Sequence, residues 1–234
     1  MSTTIQTCVD IARRHLLEAS ASFWTDAELV ALGNRGIRDL WRAINDNYQD
    51  YFLTIDATNV SQAASGSTLT GVPADVAIVR GIEPRTLSSY PNLHFRPKSY
   101  NHPDFQAARA NAGINPTDGG TIWYHIMGAG APVAAPTIQV APILTAAVPL
   151  RLTYVPTIAE KVIGDANPIP GESDNALVAW MVAYGRAKER EDRSPDPGWL
   201  AVYGTEKQNI LVSLTPRQTD EEEVVEALFE MWWQ

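Results

Sequence analysis

The stretch from residue 167 to residue 217 (NPIPGESDNALVAWMVAYGRAKEREDRSPDPGWLAVYGTEKQNILVSLTPR) constrains the fold most, because it reads as a helical hairpin. Ala176, Leu177, Trp180, Met181 and Tyr184 recur at three- and four-residue steps, on one stripe of a helix that Ser173 can cap. Beyond Ala187 the run KEREDR makes a solvated, mixed-charge end. Ser194-Pro195-Asp196-Pro197-Gly198 breaks the helix and opens the next one, with Asp196 as the capping residue and Pro197 in the first helical position. The second stripe is Trp199/Leu200, Tyr203, Lys207, Ile210/Leu211 and Leu214. Each helix has an apolar face that cannot stay wet, so the two are expected to pack antiparallel.

The N-terminal region repeats this design. Ile5, Val9, Ala12/Arg13 and Leu16/Leu17 share one face of a helix over residues 4–20, and Ser20-Ala21-Ser22 breaks it. Thr25-Asp26-Ala27-Glu28 is a capping box, in which the Thr hydroxyl accepts from a backbone N–H three residues on while the Glu reaches back. Phe23 or Trp24 can serve as its hydrophobic staple. The helix runs to about Tyr48, with Leu29, Leu32, Gly36/Ile37, Leu40/Trp41 and Ile44 toward the core. Gly33 and Gly36 each weaken it by roughly 1 kcal/mol relative to Ala, and close helix contacts explain them better than function does.

Between these helices the pattern switches to strands. Residues 51–60 alternate and are β-branched, residues 61–67 (SQAASGS) read as a flexible turn, and 76–82, 93–97, 121–127 and 137–140 read as short strands. Residues 149–155 (PLRLTYV) alternate most clearly. A short helix over 104–112, capped by Asp104 and ended at Gly113, interrupts the series. The expected fold is α+β. A helical bundle forms from the N-terminal and C-terminal helix pairs (1–50 and 165–217), around an inserted antiparallel β-rich region (51–164), with a C-terminal docking arm (218–234).

The chemistry of catalysis leaves little trace. Cys8 is the single cysteine, so no internal disulfide and no cysteine-based zinc site can form. It sits on a predicted helix near Asp10, which would raise its pKa, so a buried or idle thiol is expected. His15, His94, His102 and His125 match no metal spacing, and His102 is separated from Asp104 by Pro103. There is no phosphate-cradling glycine loop and no Gly-x-Ser-x-Gly elbow. Neither cofactor nor metal is expected, and the chain is read as a non-enzyme. The first twenty residues carry charge throughout, which argues against a signal peptide or a membrane span. With a net charge of −9 the chain is a poor generic nucleic-acid binder. Arg13/Arg14 and Arg35/Arg38/Arg42 could form a basic helical stripe, but ordinary surface ion pairs are the simpler reading.

The last segment differs in kind. From Asp220 it holds six acidic residues and no basic one, and Val224/Val225, Leu228/Phe229 and Trp232 recur at helical spacing before the Trp233-Gln234 terminus. Aromatic anchors dominate interfaces, and this segment follows the stop at Leu214-Thr215-Pro216-Arg217. It reads as an arm that docks through Leu228, Phe229, Trp232 and Trp233.

The order of these pieces resembles the head-to-tail adaptor (connector, head-completion) proteins of short-tailed bacteriophages. The landmarks are the N-terminal helix followed by Phe23-Trp24-Thr25-Asp26-Ala27-Glu28-Leu29, and a helix carrying Leu40-Trp41. Further on come Leu152-Thr153-Tyr154, Pro168-x-Pro170, Ala183 with Ala187, and Trp199 with Tyr203. The likeness spans roughly residues 1–217. It implies a structural virion protein, assembled in the host cytoplasm, that forms a ring, usually a dodecamer. Such a ring sits beneath the portal, closes the DNA-filled head, and offers a platform to tail or nozzle proteins. C-terminal extensions in the family reach the portal, which would give residues 218–234 their role. Viral DNA would pass through the channel without specific binding, no membrane being involved, and the acidic balance of the chain suits that passage. Two rivals stand beside this reading: a tail-associated hydrolase using His94 or His102 with Asp104, and a small non-viral binding module. Alanine substitution of the histidines separates the first, and a monomer indifferent to any portal separates the second.

Overall fold

Thr25 fixes the start of the longest helix. Its hydroxyl accepts from the Glu28 N–H at 3.2 Å, and the Glu28 carboxylate accepts from the Thr25 N–H at 3.0 Å, closing the capping box. The computed structural model describes residues 3–18, 23–48, 50–111, 113–128, 135–169, 173–190 and 194–214. The chain divides into two units, residues 1–51 with 159–234, and residues 52–158. Among the described residues five helices and two sheets make it α+β.

In the first unit, helix α1 (Ile5–His15) and helix α2 (Asp26–Asn47) belong to the N-terminal part. Helix α3 (Pro103–Ala110) belongs to the second unit, and α4 (Ser173–Glu189) and α5 (Pro197–Ser213) belong to the first. Helix α4 contacts α1, α2 and α5. Its Ala176, Leu177 and Met181 are fully buried, as the stripe predicted, whereas Trp180 and Tyr184 of that stripe are half-buried and Ala179, Val182 and Ala183, outside it, are buried as well. Asp196 caps α5, its carboxylate accepting from the Gly198 and Trp199 N–H groups at 3.0 and 3.1 Å. Ser173 does not act as the expected cap. It is the first helical residue, and its hydroxyl donates to the Ile169 carbonyl at 3.0 Å. Of the two staple candidates before α2, Trp24 is buried, 3% exposed, while Phe23 is half exposed.

The second unit is organised on strand β8 (Val148–Pro156), whose alternate residues Val148, Leu150 and Leu152 are fully buried. It pairs antiparallel with β1 (Thr54–Asp56), β2 (Ser61–Gln62) and β4 (Val76–Pro84), and β2 pairs with β3 (Leu69–Thr70). The turn after β1 is set by Asp56, whose Oδ1 accepts from the Thr58 and Asn59 N–H groups at 2.8 and 3.0 Å. Those donors hold its carboxyl at about 2. Residues 61–67 are therefore not one flexible turn: Ser61 and Gln62 are in the ladder, and buried Gln62 donates to the Gly66 carbonyl. Gly71 (φ +71°) passes so near the Asn59 carbonyl that no Cβ fits.

The expectation of an antiparallel region fails in the second sheet, β5 (Leu93–Pro97), β6 (Gly120–Met127) and β7 (Thr137–Ala141). Strands β6 and β7 pair antiparallel, but β5 and β6 pair parallel from Leu93↔Gly120 to Pro97↔Tyr124. Parallel neighbours need a long crossover, and residues 98–119 supply it with α3 inside. Helix α3 begins one turn position earlier than read, at Pro103, and its cap is His102 rather than Asp104. Its Phe105 is fully buried beside Ala108 and Ala141.

Candidate interaction surface

Along α2, Arg35, Arg38 and Arg42 stand three and four residues apart, so one stripe of the helix presents all three. All three are exposed. Arg38 reaches Glu160 at 3.1 Å, an exposed pair, and neither Arg35 nor Arg42 has an ion pair among the described residues. The segment 160–163 runs beside this stripe and encloses a cleft of about 640 Å³ against it, with Val30, Ala31, Val162 and Ile163 as apolar lining. Asn34, 8% exposed, pins the segment in place. Its Nδ2 donates to the Lys161 carbonyl at 2.9 Å and its Oδ1 accepts from the Lys161 N–H at 2.8 Å. An amide paired with both the N–H and the C=O of one residue copies a β-bridge, and Lys161 itself forms part of the cleft wall. The cleft is amphipathic: its wall carries Arg35, Arg38 and Lys161 together with Asp26 and Glu160, and both carboxylates are already paired, Asp26 with Arg13 and Glu160 with Arg38, so the unpaired charge is cationic and suits a ligand with both apolar groups and carboxylates.

Arg13 was read with this stripe, but it lies elsewhere and is buried. Its guanidinium bridges Glu18 at 3.1 Å and Asp26 at 2.5 Å, with side-chain exposures of 8% for Arg13 and 11% for Glu18. Glu18 in turn accepts from the Phe23 and Trp24 N–H groups. The unit therefore spends Arg13 on tying the α1–α2 connection, and only Arg14 of that pair is exposed.

Helix α5 has two unlike faces. Inward, Tyr203 is buried against Trp180 at a ring distance of 4.8 Å, and its hydroxyl donates to Asp39, which Lys207 also reaches at 2.7 Å. Burial disfavours the Asp39 charge, but the Lys207 and Tyr203 hydrogen bonds outweigh it and hold the carboxyl below its ordinary value. Burial, reinforced by Asp39, pushes the Tyr203 hydroxyl up. Lys207 thus occupies a polar notch in an otherwise apolar stripe. Outward, Ala201, Val202, Gly204, Thr205, Gln208, Asn209 and Val212 are exposed and uncharged. No helix among the described residues is long and apolar enough to cross a membrane.

Cys8, His15, His102 and His125 have structural partners. Cys8 is fully buried, and burial followed by the neighbouring Asp174 carboxylate, 3.7 Å from Sγ, pushes its thiol up to about 12. The partner is Asp174, not Asp10, which accepts from Gln6 instead. His102 Nδ1 accepts from the Asp104 N–H at 3.2 Å. His94 is exposed on β5. His125 meets the Lys98 carbonyl at 3.2 Å and packs on Tyr100 and Phe105, and His15 packs on Trp199. Among the described residues no group of three or more His, Cys, Asp or Glu could hold a metal ion. Leu228, Phe229, Trp232 and Trp233 lie outside the described residues. The cleft was invisible to sequence reading, because Asn34 and Lys161 are 127 positions apart. Only the arginine spacing pointed toward it. No protein-family model matches the chain, and no curated protein matches its sequence.

Proposed function

We propose that this chain is a structural subunit of a tailed-phage neck, a head-to-tail adaptor that joins the portal to the tail and closes the DNA-filled head. The observation that carries the reading is that residues 1–51 and 159–234 group into one unit and the β-rich residues 52–158 into another. That is the order of pieces on which the resemblance to phage adaptors rests. On this reading the N-terminal and C-terminal helix pairs form one bundle, and bundles pack side by side into a ring, a dodecamer by family likeness. The uncharged outer face of α5 supports such lateral contact, since charged residues are depleted at interface cores. The β-rich unit serves tail or nozzle proteins, and residues 218–234 dock on the portal through Leu228, Phe229, Trp232 and Trp233. The acidic balance suits a channel that lets DNA pass without holding it. The protein acts in the virion after assembly in the host cytoplasm.

The test is the light-scattering mass of the purified chain, alone and mixed with the portal protein of the same genome. A chain that forms a stoichiometric ring on the portal is the expected result, and weak lateral contacts would keep it monomeric until the portal templates it. A chain that ignores the portal overturns the reading.

A further inference from the structure

The chain has four lysines, and three of them are matched to carboxylates. Lys98 pairs with Asp104 at 3.2 Å, Lys188 with Glu28 at 2.8 Å and Lys207 with Asp39 at 2.7 Å. Lys161, on the cleft wall, has no ion pair among the described residues, and the same holds for Arg35 on that wall, while Arg42, one turn past Arg38 on the stripe, lies outside the cleft and acts on Asp39. Unmatched surface cations alone name no ligand, because water solvates them well. The apolar part of the cleft adds a second requirement: Val162 is 65% exposed there, and Val30 shares its wall. An occupant must therefore bring carboxylates and apolar side chains together.

The chain itself contains such a segment, and it begins close by. Residues 220–223 are Asp-Glu-Glu-Glu, followed by Val224, Val225, Leu228 and Phe229, with no basic residue to the end of the sequence. The Tyr48 hydroxyl donates to the Leu211 carbonyl, so α5 ends beside the C-terminal end of α2. Counting back along α2 from Tyr48 at 1.5 Å per residue, Arg42, Arg38 and Arg35 come at about 9, 15 and 20 Å. Residues 220–223 follow Leu214 by six to nine positions, which extended chain converts to a reach of about 20–30 Å. The acidic run can thus lie on the arginine stripe while the residues after it enter the cleft.

We propose that the cleft between α2 and residues 160–163 is the docking site of this chain's own residues 220–233, held in cis by Arg35, Arg38, Arg42 and Lys161. The segment then rests on its own subunit and leaves it only for a site that binds it better. The proposal concerns the free chain and does not rest on the adaptor reading.

Carbodiimide cross-linking of the intact chain tests it, since the reagent joins an amine to a carboxylate only where the two touch. An equal mixture of ¹⁴N- and ¹⁵N-labelled protein is treated and digested, and its linked peptides are weighed by mass spectrometry. The Lys98–Asp104, Lys188–Glu28 and Lys207–Asp39 links act as internal standards. The expected result is a Lys161 link to one of the carboxylates at 220–223 within a single isotopic chain. Its yield should fall at least about fivefold in Arg35→Glu/Arg42→Glu, and likewise in the unaltered protein at 1 M salt, where charge attraction is screened within about 3 Å. If the double variant loses the standard links it is misfolded, and the salt series decides. Normal standards without a Lys161 link overturn the proposal. So does a link found only between labelled and unlabelled chains, which would make a second copy the occupant, and so does a yield indifferent to both charge reversal and salt.

Discussion

Gly36 on α2 faces the indole of Trp180 on α4 so closely that a Cβ would lie 3.0 Å from Cγ and 3.1 Å from Cδ1. One turn earlier, a Cβ on Gly33 would lie only 2.6 Å from the Met181 methyl. The shorter contact is the cheaper one to relieve. Met181 ends in a flexible thioether, whereas Trp180 is wedged between Tyr184 and Tyr203 at ring distances of 4.6 and 4.8 Å. Ala for Gly inside a helix gains about 1 kcal/mol of propensity. Gly33→Ala is therefore expected to leave stability within about 0.5 kcal/mol, while Gly36→Ala loses about 1–2 kcal/mol to overpacking. Urea denaturation of both variants checks the ranking, and equal losses would refute the distinction between the two neighbours.

Arg13 carries a different kind of dependence. Removing it takes the guanidinium away from the Glu18 carboxylate, 11% exposed, which still holds the backbone at residues 23 and 24. Breaking a buried pair from one side costs about 3–5 kcal/mol. Arg13→Ala should therefore lower the thermal midpoint by many degrees, while Arg14→Ala, on an exposed neighbour, stays within about 0.5 kcal/mol of the parent. Calorimetry of the two variants separates them, and similar midpoints would show that the buried pair contributes little.

These glycines and this arginine show what the sequence could and could not convey. Local chemistry was readable: the Thr25–Glu28 box, the Asp196-Pro197 start and the alternation of β8 each depend on residues a few positions apart. The helix-contact reading of Gly33 and Gly36 also needed only their position on the α2 stripe. Pairings between distant segments were not readable. The parallel β5–β6 register, the burial of Arg13, the Asp174 partner of Cys8 and the clamp of Asn34 on Lys161 all arise when separate segments meet. Residue type and spacing do not encode such meetings, so the candidate cleft emerged only from the structure, and the aromatic anchors beyond residue 217 lie outside the described residues.

The capping box has an acid signature. The Lys188 ammonium at 2.8 Å, then the Thr25 N–H and hydroxyl, hold the Glu28 carboxyl at about 2. An unfolded glutamate titrates near 4.3. A carboxyl depressed in the folded state contributes stability that is fully present above about pH 4.3 and is lost as the pH falls toward 2. Glu28→Gln keeps the shape of the box but removes the titration. The expected outcome is that the stability gap between parent and variant, measured by urea titration, is widest at neutral pH and closes between about pH 4.3 and 2. A gap of constant size down to pH 2 would place the acid sensitivity on other carboxylates.

Deleting residues 220–234 tests the arm against the body of the protein. Leu214 closes α5, 7% exposed with its N–H on the Ile210 carbonyl, and Trp180 packs on Tyr203 at 4.8 Å while Met181 is fully buried, all contacts within the described residues. The truncated chain should therefore unfold within about 1 kcal/mol of the full one, by far-ultraviolet dichroism in urea. Portal binding should behave oppositely. A few aromatic anchors supply most of an interface's energy, so losing Phe229, Trp232 and Trp233 together should weaken portal binding by about a thousandfold or more. Sedimentation with the portal protein reads this directly. Unchanged binding by a folded truncated chain would transfer the docking role from the arm to the helical unit, with the uncharged face of α5 as the surface to alter next.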